Sequence, residues 1–280
     1  MEWAKKLNAP ILSTDSRQCY RELAIGSAPP TPEECAQVPH YFIADRSIQD
    51  PITAGEYERF ALDTLASLYT QCDVVVAVGG SGMYIDALLH GLDPLPTSAE
   101  HKAALEAQLA EEGLPALVAR LETLDPEYAA VVDRQNPRRI VRALEVIAIT
   151  GMPYSQQRKG QAAERPFSMV NWVLDMPRPT LYERINHRVH LMIEAGLEEE
   201  ARGLLEQQDL ASLQTVGYRE WWPYFKNEYT LDRTIALIQQ NSRRYAKRQL
   251  TYFKRFKDAQ WLHPLDLEGQ HESLKKAGVL

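Results

Sequence analysis

The 280-residue chain has only three cysteines, Cys19, Cys35 and Cys72, and no CxxC pair. This excludes a disulfide framework and a thiolate zinc site, and it points to a reduced, cytosolic protein. No apolar run approaches the ~20 residues of a membrane span. The longest, Val74 to Val78, has the length of a strand. The first residues carry no basic-then-apolar leader pattern, so no secretory signal is read there. Internal repeats and low-complexity tracts are missing. So are HExxH, GxSxG and GxGxxG, which argues against a zincin, an α/β-hydrolase and a dinucleotide enzyme. Seven histidines are scattered; His187 and His190 fall on one helix face, but no acid completes a ligand set, and no metal site is read. An excess of positive charge is also missing. With 31 basic and 38 acidic residues the net charge is −7, which excludes a uniformly basic nucleic-acid binder but not local basic patches.

What is present is ordinary globular composition, 45% hydrophobic and 25% charged, in an alternating pattern. Pro10 to Thr14 is a short apolar run with a polar end. Asp73 to Val78 is a β-branched run that stops at Gly79-Gly80, and it reads as a strand buried on both faces of a parallel sheet. Thr31-Pro32-Glu33-Glu34, Thr53-Ala54-Gly55-Glu56 and Thr97-Ser98-Ala99-Glu100 read as capping boxes that start helices. Met1 to Asn8 reads as the last turns of a helix. Residues 97–165 show helical periodicity alone, with helices starting at Asp125-Pro126 and Asn136-Pro137. A strand returns at Val170 to Met176, and the remainder reads as helical, including a long helix from Leu231 to Phe256. The expectation is an α/β core made of residues 1–95 and 166–280, with a helical insertion over 96–165.

Ligands of open α/β sheets collect beyond the carboxyl ends of the strands. Two strand ends carry polar clusters, Thr14-Asp15-Ser16-Arg17-Gln18 and Gly79-Gly80-Ser81-Gly82-Met83-Tyr84. Three glycines allow close approach of a ligand to the backbone, and a following helix start favours an anion. Two basic runs stand out. Arg134, Arg138, Arg139, Arg142, Arg158 and Lys159 face the single acid Glu145, and seven basic residues lie between Arg243 and Lys257 with no acid. Arg138, Arg139 and Arg142 share a helix face. In the second run Arg244, Arg248 and Arg255 form one row and Arg243, Lys247 and Lys254 another, with Tyr245, Tyr252 and Phe256 opposite as core. Basic stripes of this kind suit a nucleic-acid backbone.

Together the motifs resemble those of tRNA dimethylallyltransferases. Asp15-Ser16-Arg17-Gln18, Gly79 to Tyr84, Arg138 to Glu145, Val216-Gly217-Tyr218-Arg219 and Lys247-Arg248-Gln249-Leu250-Thr251 occur in that family's order, and the resemblance runs from Met1 to about Pro264. It implies that N6 of the adenine next to the anticodon (A37) attacks C1 of dimethylallyl diphosphate and that pyrophosphate leaves. Asp15 matches the general base, Ser81 replaces the usual threonine, and Arg184 matches an arginine at the leaving diphosphate, with Arg188 as the alternative. Contact with tRNA is implied for Asp15, Ser16, Arg17 and Gln18, for Arg138, Arg139, Ile140, Val141 and Arg142 on the insertion, and for Gly217, Tyr218, Arg219, Lys247, Arg248 and Gln249. The resemblance also implies Mg²⁺ as cofactor, a P-loop-type parallel sheet, and a cytoplasmic monomer whose partners are the tRNA anticodon stem-loop and dimethylallyl diphosphate.

One departure stands beside the likeness. The family's GPTxSGK[ST] loop, which cradles the diphosphate, has no counterpart, because GxxxxGK[ST] occurs nowhere in the 280 residues. The expectation is therefore a truncated and poorly active chain whose first sheet strand, loop lysine and Mg²⁺-holding hydroxyl are missing. A non-catalytic tRNA-binding remnant is the alternative. A generic P-loop kinase-like enzyme is disfavoured by the same absence and by the RNA-facing charge.

Overall fold

The computed structural model describes residues 1–158, 160 and 163–280. Lys159, counted in the first basic run, lies outside the described residues. The chain forms two compact units, one of Met1–Leu89 with Arg165–Leu280 and one of His90–Glu164.

The larger unit opens with α1 (Glu2–Leu7), β1 (Ile11–Ser13), α2 (Pro32–Gln37), β2 (His40–Tyr41), α3 (Ala54–Leu68), β3 (Val76–Val78) and α4 (Gly82–His90). Strand β1 is central and pairs in parallel with β2 on one side and β3 on the other, with Leu12 opposite Tyr41 and Ala77. Parallel neighbours need crossovers, and α2 and α3 supply them. The capping boxes at Thr31 and Thr53 are both formed. All three residues of β1 are buried. Strand β3 is not the doubly buried strand that its Val-rich run implied. Only Val76 to Val78 pair, and Val78 is 52% exposed, because β3 has β1 on one side only and sits at the sheet edge. Behind the sheet, Tyr57 and Tyr84 stack at 4.2 Å, and the Tyr57 hydroxyl donates to the Ser13 carbonyl. An aromatic hydroxyl inside the core therefore tethers the strand end that carries the polar cluster.

The smaller unit is helical: α5 (Ala99–Glu112), α6 (Leu114–Leu124), α7 (Pro126–Val131), α8 (Pro137–Thr150) and α9 (Tyr154–Gln157). Asp125 and Asn136 cap α7 and α8 as their sequences predict. The cap of α5 differs from the expected Thr97–Glu100 box. Ser98 is the cap and accepts from the His101 backbone, because the Ser98 N–H is itself taken by the Glu145 carboxylate. The core of this unit includes Leu117, Leu121, Ile140, Val141 and Leu144.

The chain then completes the larger unit with β4 (Trp172–Leu174), α10 (Arg178–Glu194), α11 (Leu197–Gly203), α12 (Trp221–Phe225), α13 (Leu231–Phe253), β5 (Gln260–Leu262) and α14 (Leu267–Lys276). Strand β5 corrects the all-helical expectation for this region; it pairs in parallel with β4 in a separate two-stranded sheet. Its three residues are too few to show a period of two, so only the pairing reveals it. The first and last helices of this unit are tied together. The Trp3 indole donates to Gln270 on α14 and stands edge-on to Trp172 at 5.0 Å.

Candidate functional site

At the carboxyl end of β1 the chain turns through Asp15. One carboxylate oxygen, Oδ1, accepts the backbone N–H groups of Arg17 at 2.7 Å and Gln18 at 3.3 Å. This Asx-type turn fixes the side chain. The other oxygen, Oδ2, has no hydrogen-bond partner among the described residues. Ser81, at the end of the neighbouring β3 turn and 8% exposed, accepts the Ser16 N–H at 2.8 Å and donates to the Ser16 hydroxyl at 3.0 Å. The structure thus brings Asp15, Ser16 and Ser81 together, from strand ends joined through the parallel β1–β3 pair. Beside them lies a cleft of about 250 Å³ lined by Ser13, Asp15, Gln18, His40, Val78 and Gly79, among others. Gln18 is held internally: its amide donates to the Ala28 carbonyl.

The glycine turn is filled by protein. A Cβ on Gly79 would fall 2.5 Å from Thr14, one on Gly82 2.5 Å from the Tyr252 ring, and one on Gly80 within collision distance of the Gln249 amide. Glycine is required because Thr14 at the end of β1 and the side chains of α13 approach the backbone this closely. Tyr245 and Tyr252, expected as core, are instead half-exposed residues on the face of α13 that meets this turn. Burial first and then the Asp15 charge push the Tyr245 pKa above the ordinary tyrosine value. Cys19, next to Gln18, is fully buried, and burial pushes its thiol up to about 12, which removes it as a nucleophile.

Several residues expected on an RNA face are structural. Ile140 and Val141 are 0% and 6% exposed and belong to the helical core, since they lie on the buried side of α8. Arg142 folds back: its guanidinium donates to the Leu95 and Pro96 carbonyls and pairs with the buried Glu145 at 2.7 Å. Tyr218 is 1% exposed, and its hydroxyl donates to Glu200, which also accepts the Ile25 and Gly26 N–H groups. Gly217 is buried at φ +97°, a conformation that favours glycine, and its N–H donates to Glu220. By contrast Arg138, Arg139, Arg219, Lys247 and Arg248 are exposed. Arg184 and Arg188 are exposed on α10, and no hydrogen bond or ion pair among the described residues joins them to the Asp15–Ser81 cluster. Of the residues at the cluster, sequence reasoning missed Tyr245; its place four residues before Gln249 was the available signal. No group of three or more His, Cys, Asp or Glu is placed to hold a metal among the described residues.

A family model described as IPP transferase matches residues 18–256. The chain belongs to the IPP transferase family. A tRNA dimethylallyltransferase of Cytophaga hutchinsonii is 44% identical over 262 residues, 93% of this chain and 86% of that protein. A tRNA dimethylallyltransferase 1 of Phocaeicola vulgatus is 45% identical over 262 residues, 93% of this chain and 87% of that protein. Membership in this family makes the chain an enzyme of the tRNA dimethylallyltransferase type. The solved full-length tRNA isopentenylpyrophosphate transferase of Bacillus halodurans superposes with a TM-score of 0.71 at 33% identity, covering 99% of this chain and 90% of that one. A eukaryotic dimethylallyltransferase acting on tRNA shares the fold, with a TM-score of 0.81 at 20% identity over 98% of this chain and 73% of that one. The small parallel sheet surrounded by helices is thus the IPP transferase fold. Among the described residues no helix is long and apolar enough to cross a membrane.

Proposed function

We propose that this chain transfers a dimethylallyl group from dimethylallyl diphosphate to N6 of the adenine beside the anticodon of tRNA, in the cytoplasm and as a monomer. The observation that carries the reading is the Asp15 carboxylate, pinned through Oδ1 by two backbone amides and open at Oδ2. The N6 lone pair forms the new bond to C1 of the donor as the C1–O bond breaks and pyrophosphate leaves with that bonding pair. The N6 proton passes to Asp15 Oδ2, a transfer typically worth ~10²–10⁴-fold in rate. The adenine must leave its stack to reach a cluster set between two strand ends. The exposed Arg138, Arg139, Lys247 and Arg248 supply the phosphate-facing charge. Arg184 and Arg188 supply charge for the diphosphate. Stabilising that departing charge is a large share of such catalysis, and the 280 residues contain no GxxxxGK[ST] loop to provide backbone donors for it. Transfer by these residues alone is therefore slow, and a strand and loop of that pattern placed ahead of residue 1 raises it.

The test assays labelled dimethylallyl transfer to an anticodon stem-loop RNA with Mg²⁺, using this chain, the extended chain and Asp15→Ala in both. The expected result is transfer to RNA with adenine at the target position, none to the guanine-substituted RNA, and loss of ~10²–10⁴-fold in Asp15→Ala with RNA affinity unchanged. Wild-type single-turnover rates in Asp15→Ala overturn Asp15 as the base. RNA binding without transfer by either form selects the non-catalytic reading.

A further inference from the structure

Helix α13 carries two different faces. Arg244, Lys247 and Arg248 are exposed. On another face Gln249 and Tyr252, three apart, each meet one position of the glycine turn. The Gln249 amide donates to the Gly80 carbonyl at 2.9 Å, and the Tyr252 ring lies where a Gly82 side chain would be. The Tyr252 hydroxyl also donates to Asp86 one turn into α4, at 2.7 Å. The glycine turn is therefore held along its length by one helix face, and Gln249 is the member that grips its backbone.

The consequence runs from Gln249 to Asp15 by way of Gly80, Ser81 and Ser16. Gln249 fixes the Gly80 carbonyl, and Ser81 follows Gly80 directly. Ser81 Oγ accepts the Ser16 N–H, and Ser16 follows the Asp15 carboxylate directly. We propose that Gln249, although it lies in a basic Lys247-Arg248-Gln249 stretch that invites assignment to RNA contact, is a positioning residue for the Asp15–Ser81 cluster. Its amide N–H is spent on Gly80, so its loss loosens the turn and leaves the phosphate-facing charge of α13 intact. The proposal rests on the transferase reading for its kinetic consequence, but not for its structural one.

The test uses Gln249→Met, which keeps the length and removes the donor, Gln249→Ala, Gly80→Ala, and the double variant Gly80→Ala/Gln249→Ala, with Lys247→Ala as the RNA-contact control. Three quantities are read: anticodon stem-loop affinity, hydrogen exchange of the Ser16 amide, and single-turnover transfer at saturating RNA in the most active form of the chain. Gln249→Met is expected to leave RNA affinity within about twofold, to speed Ser16 exchange about tenfold and to slow transfer about tenfold or more. Lys247→Ala is expected to do the reverse, weakening RNA binding and leaving the Ser16 amide protected. The double variant supplies the sharpest arm. The Cβ of Gly80→Ala collides with the Gln249 amide, so removing that amide relieves the collision. The double variant should then resemble Gln249→Ala and exceed Gly80→Ala in both protection and rate, a non-additivity that a residue facing RNA would not produce. Weakened RNA binding in Gln249→Met with an unchanged Ser16 amide overturns the proposal, as does additivity in the double variant. If no form transfers the prenyl group, the transferase reading fails while the exchange data still decide the role of Gln249.

Discussion

Helices α8 and α13 look alike as sequence, since both set closely spaced arginines against an apolar side, yet the two use their polar residues differently. In α8 the inward-turned member of the basic row is an arginine: Arg142 closes on Leu95, Pro96 and Glu145 while Arg138 and Arg139 stay exposed. In α13 most of the row stays outside, but Arg243 donates to the Asn186 side chain on α10, and the neutral Gln249 holds the Gly80 carbonyl. The contrast shows that a shared helix face does not by itself leave every arginine of a basic row exposed. What decides is whether an unpaired carbonyl or carboxylate lies within reach of the side chain.

The largest break in this comparison comes from Arg142→Ala. It should destabilise the helical unit by about 1.5–3 kcal/mol, the worth of hydrogen bonds to a charged group, with RNA affinity per folded molecule unchanged. The five tryptophans, at 3, 172, 221, 222 and 261, all lie in the larger unit. Helical circular dichroism should therefore record the loss while tryptophan fluorescence does not.

Next in size is the double change Arg138→Ala/Arg139→Ala, which should weaken anticodon stem-loop binding about tenfold and flatten its salt dependence, each lost phosphate contact reducing the slope by about one. Denaturation midpoints should not move. An unchanged salt slope would remove these arginines from the RNA face.

The smallest effect concerns acid and a single buried carboxyl of the helical unit. Asp125, 1% exposed, joins α7 to α9 by accepting from Tyr128 N–H and from the Ser155 N–H and hydroxyl. Burial alone would raise its pKa, but these hydrogen bonds outweigh burial and hold the carboxyl below the ordinary range. A depressed folded pKa means that the contribution is full above the unfolded value of about 3.9 and is lost as pH falls through the folded one. The helical unit should lose stability on acidification below about pH 4. Asp125→Asn should flatten that slope in a series of denaturation curves.

The sequence carried the strand-end cluster and most helix starts because those signals are local. An Asp at a strand tip, a capping hydroxyl and a proline at the first helical turn each act within four residues. The missed features are long-range. Strand β5 exists through pairing with a strand almost ninety residues away, and the edge position of β3 depends on which strands lie beside it. The glycine turn was read as room for a ligand because nothing local distinguishes a ligand from a packed helix. Tyr218, Ile140 and Val141 fell inside motifs whose neighbours are exposed, and a motif does not alternate its burial in print. Arg142 needed the Leu95–Pro96 carbonyls, which lie outside its own helix.

The way the chain closes on itself sets an order of events during synthesis. The helical unit is one continuous stretch, His90–Glu164, so all its partners leave the ribosome together. The larger unit is interrupted by it, and Trp3 waits for Gln270. Domains fold as units as they emerge, so the helical unit can be complete while the first strand still lacks the part of its core that follows residue 164. The glycine turn beside Asp15 gains its Gln249 contact only after residue 249 has been added, so this strand-end cluster is among the last parts to take shape.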